Sequence, residues 1–198
     1  LLPLVDFRDV LLDGGCGAAL RRSGQAVDLG GIAKGYAADE VKKLLVMCGV
    51  KSALINLGGN IVTVGSHPEK GCWEIGVQTP DGERGEYFGV LKINEGAVVT
   101  SGGYERFFIE NGARFHHILN PKTGHPAQRG LKSATVICRR SIDADALSTA
   151  FFVLGTERGL PMLKKYDADA VYVTDEGNVY GTSEDLQKEG ERQWKKKR

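Results

Sequence analysis

The chain has 198 residues, 41% of them apolar and 27 of them glycine, the composition of a globular domain with many turns and not of a disordered chain. Twenty-six basic residues against 25 acidic ones leave a net charge of +1, so the composition carries neither a nucleic-acid footprint nor a basic membrane-surface patch. The four cysteines, Cys16, Cys48, Cys72 and Cys138, form no Cys-x-x-Cys pair and have no histidine at zinc-finger spacing, which argues against a zinc site.

Cys48 and Cys138 lie in apolar stretches and are expected as small core residues. No stretch reaches the roughly 18 apolar residues of a membrane-spanning helix. The start, LLPLVDFRDV, lacks an initiator methionine and reads as that of a fragment or a processed form. From Phe7 to Ala26 the pattern is short strands joined by turns, with DGGCG (13–17) as the clearest break. Ile32, Ala33, Tyr36, Ala37, Val41, Leu44, Leu45 and Cys48 then recur at the spacing of an amphipathic helix. This predicts a buried stripe with Lys42 and Lys43 outside, Gly30 and Gly31 at the start and Gly49 at the end. Residues 52–60, SALINLGGN, read as a short buried strand running into a glycine turn.

Between Trp73 and Val99 three alternating runs, WEIGVQT, YFGVLKI and GAVVT, are separated by turn signals at Pro80-Asp81-Gly82 and Asn94-Glu95-Gly96 and predict an antiparallel sheet. The polar, glycine-rich and histidine-bearing stretch 101–130 is too particular in composition for a plain connection. A strand from Ser133 to Cys138 leads to a helix over ADALSTAFFVLG, stopped by Gly155, then to a helix from about Glu157 to Tyr166. ADAVYVT and VYGT make a terminal hairpin. The order predicts an α+β domain over residues 1–182, a mostly antiparallel sheet with packed helices. From Ser183 the chain turns polar and ends on Lys195, Lys196, Lys197 and Arg198, which read as a solvated tail.

Four places carry candidate chemistry. In VDLGGIAKGYAADE, glycines before a helix let backbone approach a ligand, the helix N-terminus favours phosphate, and Lys34 adds a positive charge; the plain reading is a tight turn. In SIDADALSTA, Asp145 and Thr149 project from one helix face and offer hard oxygens to magnesium, although Asp143 or Asp145 also suits a helix cap. In FHHILNPKTGHP, His116 and His117 point to opposite faces of an extended segment, so one of them serves a given site in proton transfer. There His116 and His125 read plainly as surface residues. In VVTSGGYERFF, Ser101, Gly102 and Gly103 offer hydroxyl and backbone to a ribose or phosphate, and Tyr104 and Glu105 to an adenine; equally, they only turn the chain.

Taken in order, VDLGGIAKGYAADE (27–40), LINLGGNI (54–61), TSGGYERFF (100–108), HHILNPKTGHP (116–126) and DADALSTA (143–150) resemble the signature of the ApbE-type FMN transferase family. The resemblance implies a two-lobed, T-fold-like α+β architecture and a further N-terminal stretch that helps hold the flavin. It implies magnesium on the Asp145 carboxylate with an oxygen of Thr149 and the backbone carbonyl at Gly31, or alternatively Ala33. It makes Asp28, Lys34, Ser101, Gly102 and Glu105 neighbours of FAD, and His117 the motif histidine close to the reacting phosphate. Asn120 departs from the aspartate of many relatives.

The implied activity is magnesium-dependent transfer of FMN from FAD to a Thr or Ser hydroxyl of an acceptor flavoprotein, with Asp145 and His117 as the catalytic pair and AMP released. The implied location is the bacterial periplasm or cell envelope, with membrane association only through an N-terminal anchor. Two alternatives stay open from sequence: a magnesium-dependent FAD pyrophosphatase and a non-catalytic FAD-binding protein. The expected crevice lies between the start of the first long helix and the Asp145 helix, joined by the 100–117 stretch.

Overall fold

A computed structural model describes residues 1–83, 85–182, 186–188 and 194–196. In chain order the elements are β1 (Val10–Leu12), β2 (Ala18–Leu20), α1 (Ala33–Met47), β3 (Ala53–Leu57), β4 (Asn60–Val64), β5 (Trp73–Gln78), β6 (Tyr87–Ile93) and β7 (Gly96–Gly102). They continue with β8 (Phe107–Glu110), β9 (Ala113–His116), β10 (Leu131–Cys138), α2 (Ser141–Lys165), β11 (Asp169–Thr174), β12 (Val179–Gly181), β13 (Leu186–Lys188) and β14 (Trp194–Lys196). The main sheet has the order β14-β12-β11-β10-β7-β4-β3 and is antiparallel except where β14 runs parallel to β12. A smaller sheet, β13-β6-β5, covers one of its faces, and α1 and α2 pack on the other. The α+β class expected from the sequence is what forms.

The period-two alternation of the central strands explains the layering, because successive side chains must leave the sheet on opposite faces. Ala97, Val99, Val136 and Tyr172 face the helices and meet Leu147, Phe151 and Leu163. Val98, Val171 and Val173 face the other way, onto Ile75, Val77, Leu91 and Ile93. Each fully buried side chain of this size contributes roughly 1.5–3 kcal/mol.

Several expectations change. The runs 73–79, 87–93 and 96–100 do not share one sheet: β5 and β6 form the covering hairpin, whereas β7 sits at the centre of the main sheet between β4 and β10. β4 was not anticipated, although its β-branched NIVTV run is more buried than β3, which is an edge strand. The β8–β9 hairpin was missed too. Its Asn111-Gly112 turn, with φ of 50° and 78°, is a strong hairpin signal that the 101–130 stretch does contain. The two C-terminal helices form one run broken at Gly155, whose φ of 74° and ψ of −179° are non-helical, as the expected stop requires. Of the expected tail, β13 pairs with β6 and β14 with β12, and its other residues lie outside the described ones.

The largest revision concerns α1. Its predicted apolar stripe is turned outward, with Tyr36, Val41, Leu44 and Cys48 exposed. Gly35 and Ala38 are buried instead, with Lys42 and Leu45 half-buried, and Lys42 reaches Glu95 at 2.9 Å. The reason is the crossing of the two helices. A Cβ on Gly35 would stand 2.5 Å from the Ser141 carbonyl oxygen, 2.7 Å from Ile142 Cα and 2.8 Å from Asp145 Cβ. Small residues therefore decide which face of α1 meets α2, and the hydrophobic stripe does not. Cys48 is accordingly not a core residue, while Cys138 is.

Replacing Gly35 by Ala should destabilise the fold by about 1–3 kcal/mol, the usual cost of overpacking. Tyr36→Ala, at the exposed neighbour, should stay within about 0.5 kcal/mol. Urea unfolding of both variants checks this, and equal losses would contradict the crossing as described.

Candidate active site

The N-termini of α1 and α2 converge, and each receives a carboxylate from the other helix. Asp39 of α1 accepts the amides of Ser141 and Ile142, both at 2.9 Å, which satisfies two of the free N–H groups that open α2. Asp145 of α2 accepts the Gly35 amide at 2.8 Å through Oδ2. Asp143, the other candidate cap, pairs with Arg140 at 2.7 Å. The alternative reading of Asp145 as a cap of its own helix is thus replaced by a cap of α1.

This bond has a consequence for the backbone before α1. In a regular helix the Gly35 amide would bond the Gly31 carbonyl four residues back, but here it is spent on Asp145. Among the described residues no donor reaches the Gly31 oxygen, whereas Ala33 begins the helix proper. Gly31 also lies beside Thr149, since a Cβ there would stand 3.7 Å from Thr149 Oγ1. Thr149 Oγ1 is 3.3 Å from the Asp145 carbonyl oxygen. Asp145 is 3% exposed, and its nearest cation is Lys34, with Nζ 3.9 Å from Oδ1. A buried carboxylate so incompletely neutralised, beside a hydroxyl and an unpaired carbonyl, fits a hard cation with oxygen ligands. No group of three or more His, Cys, Asp or Glu gathers among the described residues.

Asp145, Thr149, Gly31, Ala33 and Lys34 border a crevice of about 1810 Å³. Asp28, Ser101, Gly102, Glu105 and His117 line it too, so the residues that the resemblance assigns to FAD and magnesium meet one space, whereas Gly103 and His116 border a separate, smaller cavity. This is larger than the roughly 300–1,000 Å³ of drug-sized ligand pockets. Asp28 Oδ1 accepts the Gly30 amide at 2.6 Å and holds the turn before α1. Across the crevice the β3–β4 turn is held by Asn56 Oδ1, which accepts the Gly59 amide at 3.0 Å. Asn60, 1% exposed, accepts the Ser141 hydroxyl at 2.7 Å and ties β4 to the start of α2. Asp39, Gly35 and Asn60 were missed as site residues, because their roles lie in contacts between elements.

The stretch after β7 follows from two close approaches. A Cβ on Gly102 would collide with the Tyr104 ring, and one on Gly103 would stand 2.8 Å from His116 Cδ2. Burial, helped by the nearby Glu105 and Asp81 carboxylates, pushes the Tyr104 phenol up to about 12.

His116 and His117 do face opposite ways. His117 lines the crevice and its Nδ1 is 3.2 Å from the Arg106 carbonyl oxygen, which only accepts; in the neutral ring Nδ1 therefore carries the proton and Nε2 the lone pair. His116 is not the surface residue expected. It is half-buried against Phe152, with ring centroids 5.5 Å apart, and its Nε2 is 3.1 Å from the Ala127 carbonyl oxygen. Its Nδ1 is buried without a partner among the described residues, beside a small cavity of about 190 Å³. Burial holds its pKa below the ordinary histidine value, since charging it costs desolvation.

The model of the ApbE family matches residues 1–173. The chain belongs to the ApbE family. It is 44% identical over 175 residues to an FAD:protein FMN transferase of Klebsiella pneumoniae, covering 87% of this chain and 54% of that protein. It is 38% identical to an FAD:protein FMN transferase of Treponema pallidum, covering 87% of this chain and 52% of that protein. Among solved structures, the ApbE protein of Thermotoga maritima superposes with a TM-score of 0.81 at 35% identity, over 90% of this chain and 58% of that one. The flavin transferase ApbE of Vibrio cholerae gives 0.77 at 25% identity, over 92% and 58%. The chain thus spans about half the length of the curated relatives it matches.

Nitrogen NMR at pH 7.5 should find His117 protonated at Nδ1 and His116 at Nε2, and His116 should titrate below the ordinary value of about 6.5. The same tautomer in both, or a raised His116, would contradict the two environments.

Proposed function

We propose that the crevice binds FAD and that the protein passes the FMN half to a Ser or Thr hydroxyl of an acceptor flavoprotein, releasing AMP, with magnesium at Asp145. The observation that carries this reading is that the buried Asp145, Thr149 and Gly31 line one crevice together with His117, with Gly31 lying against Thr149. The curated relatives named FAD:protein FMN transferase support it.

In this reading Asp145, Thr149 and Gly31 would hold the cation. Magnesium bound there neutralises charge on the pyrophosphate oxygens. Lys34 adds a second positive charge beside Asp145, and the N-terminal turn of α1 favours a phosphate. Ser101, Gly102, Glu105 and Asp28 contact FAD along the crevice wall. His117 Nε2 takes the proton of the attacking hydroxyl as its oxygen bonds to the FMN phosphorus. The bond from that phosphorus to the bridging oxygen breaks, and AMP leaves with the electron pair.

Asp145→Asn retains an oxygen for the Gly35 amide, so the variant should fold yet lose flavin transfer by about 10³-fold, in line with several kcal/mol of charge stabilisation. His117→Ala should lower transfer by about 10²- to 10⁴-fold with FAD still bound. Covalent flavin fluorescence on an acceptor domain, with FAD and magnesium supplied, measures both. Near wild-type transfer by Asp145→Asn sinks the cation assignment, and free FMN without labelled acceptor favours a pyrophosphatase.

A further inference from the structure

We infer that Ser148, which does not itself border the crevice, is a positioning residue that turns the hydroxyl of Ser101 so that a lone pair faces the space beside Asp145. The inference rests on the cation reading above and adds Ser101 Oγ as a further oxygen for the same ion.

Ser148 is fully buried on α2, and its Oγ lies 3.0 Å from the Asp145 carbonyl oxygen and 2.9 Å from Ser101 Oγ. Thr149 Oγ1 lies 3.3 Å from the same carbonyl oxygen and 3.2 Å from Ser101 Oγ. Three hydroxyls thus share three protons around one carbonyl, which only accepts. In one order Ser148 and Thr149 donate to the carbonyl and Ser101 donates to Ser148. In another, Ser148 donates to Ser101, Ser101 to Thr149 and Thr149 to the carbonyl. In both of these orders every proton is used inside the cluster. Each hydroxyl oxygen has two lone pairs, so in both Ser101 and Thr149 keep at least one for the crevice that both of them line.

This arrangement favours a cation and disfavours an anion at that spot. Without Ser148 the Ser101 hydroxyl keeps only the longer contact to Thr149, at 3.2 Å, and its proton is held less firmly away from the ion. The cluster also connects two layers, because Ser101 ends β7 while Ser148 and Thr149 lie on α2. The distance between the sheet and α2 therefore sets the orientation of the oxygens.

The test is Mn²⁺ binding, followed by electron paramagnetic resonance without FAD, in the wild type, Ser148→Ala, Ser101→Ala and the double variant, with melting temperature as a check on folding. Ser148→Ala should weaken Mn²⁺ binding about tenfold, the lower end of what a partner behind a metal ligand is worth. Because Ser148 acts through Ser101, the double variant should lose no more than Ser101→Ala alone. Should Ser148→Ala not fold, Ser148→Cys, which keeps the volume and replaces a strong donor by a weak one, carries the same expectation. Unchanged Mn²⁺ affinity without the Ser148 hydroxyl, strictly additive losses, or a wild type that binds no Mn²⁺ overturns the inference. Flavin transfer measured in parallel separates the two readings. A wild type that shows the Mn²⁺ coupling but transfers no flavin overturns the proposed function and leaves the positioning role standing.

Discussion

The structure depends on the exchange of carboxylates where α1 and α2 cross. A helix start buried against another helix leaves amides that water cannot reach, and each unsatisfied one costs about 1–3 kcal/mol. Asp39 and Asp145 remove that cost reciprocally, and both carboxylates also sit at the positive ends of the helix dipoles they cap. The exchange works only because Gly35 lets the backbones approach. The same contact that holds the two helices together buries Asp145 and frees the Gly31 carbonyl. Packing and chemistry are here one set of atoms.

The sheet fixes the other side of the crevice. β7 lies between β4 and β10 in the main sheet; β4 pairs with its residues 96–99, and its end, Thr100–Gly102, is held by Ser133–Thr135 of β10. Thr100 Oγ1 and Thr135 Oγ1 are 2.8 Å apart, a cross-strand pair that uses both hydroxyls at a depth where an unpaired one would be costly. Candidate ligand contacts therefore ride on a rigid strand and on two helix starts. The β8–β9 hairpin and the β5–β6 turn meet above them through Arg114 and Asp81, 2.6 Å apart and both partly exposed, a contact of modest strength by itself.

Much of this was legible in the sequence where periodicity or local chemistry decides it. Strands β7, β10 and β11 show their alternation, Gly155 marks the break in α2, and the i, i+4 pair Asp145 and Thr149 lies on one helical face. The orientation of α1 was not legible, because Tyr36, Val41 and Leu44 form a stripe at helical spacing and hydrophobicity alone ranks it as the buried face. What overrides that ranking is steric: Gly35 and Ala38 permit a backbone approach that larger side chains forbid. Asp39 and Asn60 were silent for a related reason, since their partners are 102 and 81 residues away in the chain. The β8–β9 hairpin is a different case, because Asn111-Gly112 is a local signal standing between FFIE and ARFH.

The adjacent histidines show how the backbone divides one chemistry into two roles. His116 ends β9 and points inward, where Phe152 and the Ala127 carbonyl leave room for a neutral ring. One residue later the chain presents His117 to the crevice, with its amide and its Nδ1 both directed at the carbonyl of Arg106. That double use of one acceptor matters, because a ring tied through Nδ1 has its rotation restricted and its tautomer chosen before any ligand arrives. The His116 ring lies against the backbone of Gly103, so that a single carbon added there would stand 2.8 Å from its Cδ2. A side chain at 103 would displace that ring, so the glycine after β7 is what lets His116 pack inward while His117 lines the crevice.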